Sequence, residues 1–294
     1  MSRKFHVSVD NSFIEICLEM IDQGRTSFLD ELVNHPAGKK IHSHALRFGN
    51  TTDTIINFWQ QIINKQFTPI MSDQISQSLE YLETHGNILI DSLKEVAQYL
   101  PSDIQLDCKL YTMAGYDIGI VSEGSAFLNI AHPLFKSNHC ELIFMAMHEV
   151  HHVGYVHYNP IFALSDIDRL SDLKHAIRYL THLEGLAVYT PLAKRLETDC
   201  QRHEDYEALL DDHIVEQRFN EYTSLVSELE KKEDRAIKEL DFSIFEPMTV
   251  KGKRLWYVAG AFMAKKIDEE LGREALNSTI KSGPDNFFAL FNSI

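Results

Sequence analysis

Four histidines and one glutamate stand in an otherwise apolar stretch, MAMHEVHHVGYVHY, Met145 to Tyr158. Its flanks, LIFMAM before and VGYV after, place the stretch inside a core. A buried imidazole must find a partner, because an unsatisfied polar group in an apolar interior is costly. The pattern therefore allows two outcomes. One is a histidine-rich core helix bonded to backbone carbonyls. The other is a helix that holds a metal ion.

His148-Glu149-Val150-His151-His152 matches H-E-x-x-H. On a helix, positions i and i+4 lie one turn apart on one face, so both imidazoles can approach one ion from the same side. Neutral imidazoles donate lone pairs without cancelling the charge of the ion. A carboxylate next to the first histidine can take a proton from water activated by that ion. The expected ligands are His148 and His152, with Glu149 as general base. His151, at i+3 from His148, and His157, beyond the motif, are read as packing residues around the site.

A catalytic zinc usually has three protein ligands. The third is expected at Glu184, in His182-Leu183-Glu184-Gly185-Leu186-Ala187-Val188-Tyr189. Glu184 lies in an apolar helical stretch, and the small residues after it would let a second helix come close. His182 competes, but two residues away on a helix it faces another direction.

The rest of the chain sets the frame. Gly (13) and Pro (8) are scarce among 294 residues, and long periodic stretches point to helices. Helices are expected over residues 9–34, stopped by His35-Pro36-Ala37-Gly38, then over 51–65, over 72–99 as one long helix or two short ones, over 139–158, over 165–199 as one or two helices, and over 203–240. Leu255 to Leu271 is a further helix capped by Gly272, and a short helix, a Gly283-Pro284 break and an aromatic turn close the chain. Residues 104–131 alternate with period two and are rich in aromatic and β-branched residues and glycine. They are the one expected β region, of three short strands. The expectation is a predominantly helical α+β fold, with a helical N-terminal part over 1–103 packed on a core over 104–294.

The net charge of −15 argues against nucleic acid or an anionic membrane as partner, since both require clustered Lys and Arg. The N-terminus lacks an apolar segment behind its basic residues, and no 18-residue apolar run occurs. Cys17, Cys108, Cys140 and Cys200 are far apart and form no CxxC pair, so they are read as free thiols in a reducing, cytoplasmic setting. The oligomeric state is not legible.

HEVHH followed by EGLAVY resembles the gluzincin class of zinc metallopeptidases. The longer gap, residues 153–183, and the E-G-x-A-x-Y block are similar to a group of uncharacterised zinc-dependent proteases within it. WYVAGAFMAKKIDEELGREALNSTIKSGPDNFFALFN is similar to that group's closing helices, so the resemblance covers residues 105–294. It implies a zincin-like core with a small mixed sheet before the H-E-x-x-H helix, one zinc ion per chain, and a peptide or protein substrate. It further implies a tyrosine that stabilises the oxyanion, with Tyr257 as first candidate and Tyr189 as second. It makes Gly124–Ile130 the edge strand along which a peptide would lie. Two rivals stand beside it: a zinc-binding or regulatory module without catalysis, and a helical-bundle metal enzyme that uses the His148/His152 pair.

Overall fold

The computed structural model describes residues 4–23, 28–161, 163–198, 200 and 203–294. The chain is predominantly helical with one small mixed sheet, in agreement with the expected fold class. It divides into two compact units. The first comprises residues 1–97 and 103–154, the second residues 98–102 and 155–294.

The first unit begins with β1 (Lys4–Asp10). Six helices follow: α1 (Ser12–Gln23), α2 (Leu29–Asn34), α3 (Pro36–Arg47), α4 (Ile55–Gln66), α5 (Pro69–Thr84) and α6 (Gly86–Glu95). Then come β2 (Gln105–Met113), β3 (Gly119–Ser122) and β4 (Ser125–Asn129). The helix α7 (Glu141–Val156) belongs to this unit up to Gly154. The sheet order is β1-β2-β4-β3. β1 runs parallel to β2 in the register Val7↔Cys108, β2 runs parallel to β4 with Leu110↔Ala126, and β3 is antiparallel to β4. Ser122 pairs with Ser125 across the two-residue loop Glu123-Gly124, where both residues have positive φ, 46° and 71°. Such loops match the right-handed twist of the strands they join.

Three expectations change here. No strand is expected before residue 104, yet KFHVSVD alternates and pairs along its whole length with β2. The helix expected over 9–34 begins only after Asp10, whose Oδ1 accepts the Ser12 N–H at 3.1 Å, and ends in a separate α2. The join at 24–27 lies outside the described residues. Thirdly, β4 is not the edge strand. It lies between β2 and β3 with all five residues buried, and β3 is outermost.

The stop at His35–Gly38 ends α2 and at the same time starts α3. Pro36 occupies the first turn, where its missing N–H leaves no bond unmade, and His35 Nδ1 accepts from Ala37 N at 3.1 Å. Gly38 belongs inside α3 because a Cβ there would lie 2.1 Å from the Leu32 carbonyl oxygen. The Trp59 indole donates to the Gly38 carbonyl at 3.2 Å and ties α4 to the same spot.

The second unit is built on α8 (Leu170–Tyr189). Around it lie α9 (Leu192–Leu196), α10 (Glu204–Leu210), α11 (Asp212–Glu230), α12 (Phe245–Thr249), α13 (Leu255–Leu271), α14 (Arg273–Ser282) and α15 (Pro284–Phe291). α13 has the expected bounds, and Gly272 ends it at φ 85°. Gly283 (φ 86°) and Pro284 make the expected break, but the final segment is a helix rather than a turn.

α8 and α13 touch backbone to backbone. A Cβ on Gly185 would lie 2.4 Å from the Gly260 Cα, and one on Gly260 would lie 2.2 Å from the Thr181 carbonyl oxygen. The small residues after Glu184 thus make room for α13. Val188, Val258 and Ala261 pack beside this crossing in a core completed by Leu192, Tyr206, Leu209 and Val215.

Cys17 and Cys108 are free and buried, whereas Cys140 and Cys200 are disulfide-bonded. This corrects the reading of four free thiols. Disulfides persist in oxidising compartments, so the ground for expecting a reducing one is removed. Among the described residues, no helix is long and apolar enough to cross a membrane.

Gly260→Ala is expected to destabilise the protein by about 1–3 kcal/mol, because α8 and α13 must separate to admit one methyl group. Gly86→Ala is the control. Nothing lies within 4 Å of a Cβ there, and the change is expected to be neutral or slightly stabilising. Urea midpoints of the two variants decide it, and equal midpoints would refute the packing argument.

Candidate metal centre

α7 carries its histidines in a buried environment. His148 is 9% exposed, Glu149 4%, His151 0% and His152 8%. One helical turn separates His148 from His152, and their rings approach to 4.5 Å between centroids, nearly perpendicular at 87°. The flanking Leu142, Ile143, Phe144, Ala146, Met147, Val150 and Val153 are all buried, and Met145 is half-buried.

Glu149 is placed by β3. The backbone of Gly119 passes so close that a Cβ there would lie 2.3 Å from Glu149 Oε1 and 2.7 Å from its Cγ. A glycine inside a strand signals such a close approach. Sequence reasoning missed Gly119, although the signal was present in Ile118-Gly119-Ile120-Val121.

His148, His152 and Glu184 each offer one ligand atom, and these atoms lie within 4.8 Å of one another. The trio joins the two motif histidines with the glutamate that stands among apolar and small residues. Two imidazole nitrogens and a carboxylate oxygen form a donor set that would suit zinc. A Zn–N bond is about 2.0–2.1 Å, so donors at these separations can converge on one ion with small side-chain rotations. The chemistry of the donors therefore fits one zinc ion.

The competing residues are accounted for. His182 is fully buried and both ring nitrogens are engaged: Nδ1 with the Tyr155 hydroxyl at 3.0 Å, Nε2 with Thr279 Oγ1 at 2.9 Å. Its ring also stacks on Phe287 at 4.5 Å, and burial lowers its pKa to about 3. It is a structural tie within the second unit. His151 lies outside the trio, and His157 is exposed with its ring against Tyr158.

The two tyrosines differ in their surroundings. The Tyr189 hydroxyl donates to Asp268 Oδ2 at 2.6 Å, and Asp268 is also paired with Arg273. Tyr257 is partly buried in the first turn of α13. Among the described residues its hydroxyl makes no hydrogen bond of standard geometry. The Arg254 guanidinium covers its ring at 3.6 Å. Burial and then the charge of Glu184 raise the Tyr257 pKa, so the phenol keeps its proton at neutral pH.

Arg254 and Asp205 were not anticipated. Arg254 Nε donates to both carboxylate oxygens of Asp205 at 2.8 Å. Burial would raise the Asp205 pKa, but hydrogen bonding to His203 and the Arg254 charge hold it below the ordinary carboxylate value. Arg254, in Lys251-Gly252-Lys253-Arg254-Leu255, carries no signal that sequence periodicity could show.

The chain belongs to the family described as "Putative zinc dependent peptidase (DUF5700)", whose model matches residues 39–294. The match starts well before residue 105, so most of the helical N-terminal part belongs to the family as well. No curated protein and no solved structure matches the chain. The cofactor implied by the family description is zinc, and the trio on α7 and α8 is the group that could hold one ion.

Elemental analysis is expected to find about one zinc per chain. Glu184→Ala is expected to weaken zinc binding by more than about 100-fold, since even the loss of an outer hydrogen-bond partner costs 10–100-fold. His182→Ala is expected to keep zinc and lose about 2–4 kcal/mol of stability, because it opens a cavity and strands the Tyr155 and Thr279 hydroxyls. Loss of zinc in His182→Ala with an unchanged unfolding midpoint would reverse the assignment.

Proposed function

We propose that this member of the family is a zinc metallopeptidase of the gluzincin type, acting on a peptide or protein. In this reading His148, His152 and Glu184 hold the ion, and Glu149 is the general base. The observation that carries it is the convergence of the three ligand atoms within 4.8 Å, with a buried carboxylate on the residue next to His148.

A zinc ion held by these three residues would lower the pKa of a water ligand to about 7 and would polarise the scissile carbonyl. Glu149 takes a proton from the water that attacks the carbonyl carbon. It then delivers that proton to the amine nitrogen as the C–N bond breaks. The Tyr257 hydroxyl donates to the oxygen that gains negative charge. Among the described residues the Tyr257 hydroxyl donates to no acceptor, which favours it over Tyr189, whose hydroxyl donates to Asp268.

The outermost strand supports a peptide substrate. Among the described residues β3 is an outermost strand of the sheet, and its Gly119 lies against Glu149. An extended chain added along β3 would form main-chain hydrogen bonds and pass its carbonyl groups by the base.

Glu149→Gln tests the mechanism. It preserves the side-chain shape and removes the base. The expected result is full zinc content with hydrolysis of a peptide library reduced about 10²–10⁴-fold. Hydrolysis within a few-fold of wild type would refute Glu149 as base. Wild-type protein with one zinc and no hydrolysis of any library peptide would favour the non-catalytic module.

A further inference from the structure

The corner between α2 and α3 is closed by a side chain that titrates. Helices usually start on Ser, Thr, Asp or Asn, whose side-chain oxygen accepts an N–H of the first turn. In α3 the acceptor is His35 Nδ1, which takes the Ala37 N–H at 3.1 Å. A ring nitrogen accepts only while it carries no proton, so the proton of the neutral ring stands on Nε2. Nε2 lies 3.0 Å from Ser12 Oγ and therefore donates to it. The Ser12 hydroxyl in turn donates to Asp10 Oδ1, and Lys109 Nζ donates to Asp10 Oδ2 at 2.8 Å. The donors run in one direction, from Ala37 through His35 and Ser12 to Asp10. They tie β1, α1, β2 and the start of α3 together at one point.

A second proton on His35 has no place in this chain. It would set an Nδ1–H against the Ala37 N–H, donor against donor, and the cap bond would be lost. The ring is faced by Asp10 from β1, by Ser12 and Phe13 from α1, and by Lys109 and Tyr111 from β2. Burial disfavours the charged ring, Asp10 favours it and Lys109 opposes it, and the result is a pKa below the ordinary histidine value. Asp10 does not titrate alongside. Burial would raise its pKa, but hydrogen bonds from Lys109 and Ser12 hold it below the ordinary carboxylate value. Because the folded state keeps the neutral ring, the stability it contributes is present above the ordinary histidine pKa. That stability is lost as pH falls through the lowered value of the folded state.

The turn that His35 caps holds the β3–β4 hairpin. Ser122 Oγ donates to the Lys40 carbonyl at 2.9 Å. Lys40 Nζ donates to the Glu123 carbonyl at 3.0 Å and to Ser125 Oγ at 2.8 Å. Glu123 has φ 46°, a strained conformation for a residue with a side chain, and such strain persists only where the surroundings hold it. All of these groups belong to the first unit.

We propose that His35 is a pH-sensitive latch: a second proton on its ring opens the first turn of α3 and releases the β3–β4 hairpin. The latch stands apart from the metal centre and from hydrolysis, and its test reads neither.

The test is amide hydrogen exchange on the full chain between about pH 5 and pH 8, with rates corrected for their intrinsic pH dependence. Protection at Ala37–Ile41 and at Ser122–Ser125 is expected to fall together as His35 takes its proton. The expected fall is about 2- to 30-fold, the range that the loss of one N-cap covers. H35N keeps an acceptor at the cap and does not titrate, so both segments should stay protected over the whole range. H35S, a second cap that does not titrate, is measured beside it. H35A should lower protection of both segments at every pH. Nitrogen NMR of the imidazole should place the His35 proton on Nε2 at about pH 8.

A proton on Nδ1 at that pH overturns the latch, as does wild-type protection that is constant over the range. A pH-dependent loss that persists in H35N and H35S also overturns it. That loss would belong to another group such as His132, whose Nδ1 accepts the Leu134 N–H at 3.3 Å in a similar His-Pro cap. A response confined to Ala37–Ile41, with the hairpin still protected, reduces His35 to a local cap and overturns the proposal as well.

Discussion

At Gly185 and Gly260 two helices meet with no side chain between them. The backbones of α8 and α13 approach so closely that a single methyl group on either glycine would overlap the other helix. This contact determines what can stand next to Glu184. It places the first turn of α13, with Tyr257 and Arg254, beside that carboxylate. It also explains why apolar residues surround an acidic one in α8: Leu183, Leu186, Ala187 and Val188 are all buried. A carboxylate in such a place must be paired, hydrogen-bonded or bound to a cation.

The first unit solves a matching problem with another glycine. Buried residues surround the histidines of α7, so the space for the Glu149 side chain must come from a neighbour. Gly119 supplies it by lacking a Cβ. In both units an acidic group of the candidate site sits against or next to a glycine. Carboxylates here are fixed by backbone proximity as much as by their own rotamers.

Elements with strong local signals were legible. The bounds of α13 and its Gly272 stop, the Gly283-Pro284 break, the three strands in 104–131 and the H-E-x-x-H helix all follow from period and punctuation. Elements whose meaning depends on a partner were not. Pro36 both ends α2 and opens α3, and which role dominates depends on the His35 cap and on Leu32 approaching Gly38. β1 has only seven residues, and its strand state rests on pairing with residues about a hundred positions away. Strand order is also non-local. β4 is more apolar than an edge strand requires, and that burial reflects its inner place between β2 and β3. The cysteines misled in the same way, since spacing alone could not show that Cys140 and Cys200 are in disulfide form.

The amino-acid sequence by itself determined the helix of His148 and His152, their common face, and the adjacent Glu149, because a helical repeat converts spacing into direction. It also pointed to Glu184, through a carboxylate set among apolar and small residues. Only the tertiary structure decided between Glu184 and His182, because the choice turns on contacts: His182 is tied to Tyr155 and Thr279, while Glu184 joins the two histidines. It likewise showed that the Tyr189 hydroxyl is held by Asp268, and it brought Arg254 and Asp205 into view. Those distinctions depend on residues far apart in the chain, and local periodicity holds no information about which of them will meet.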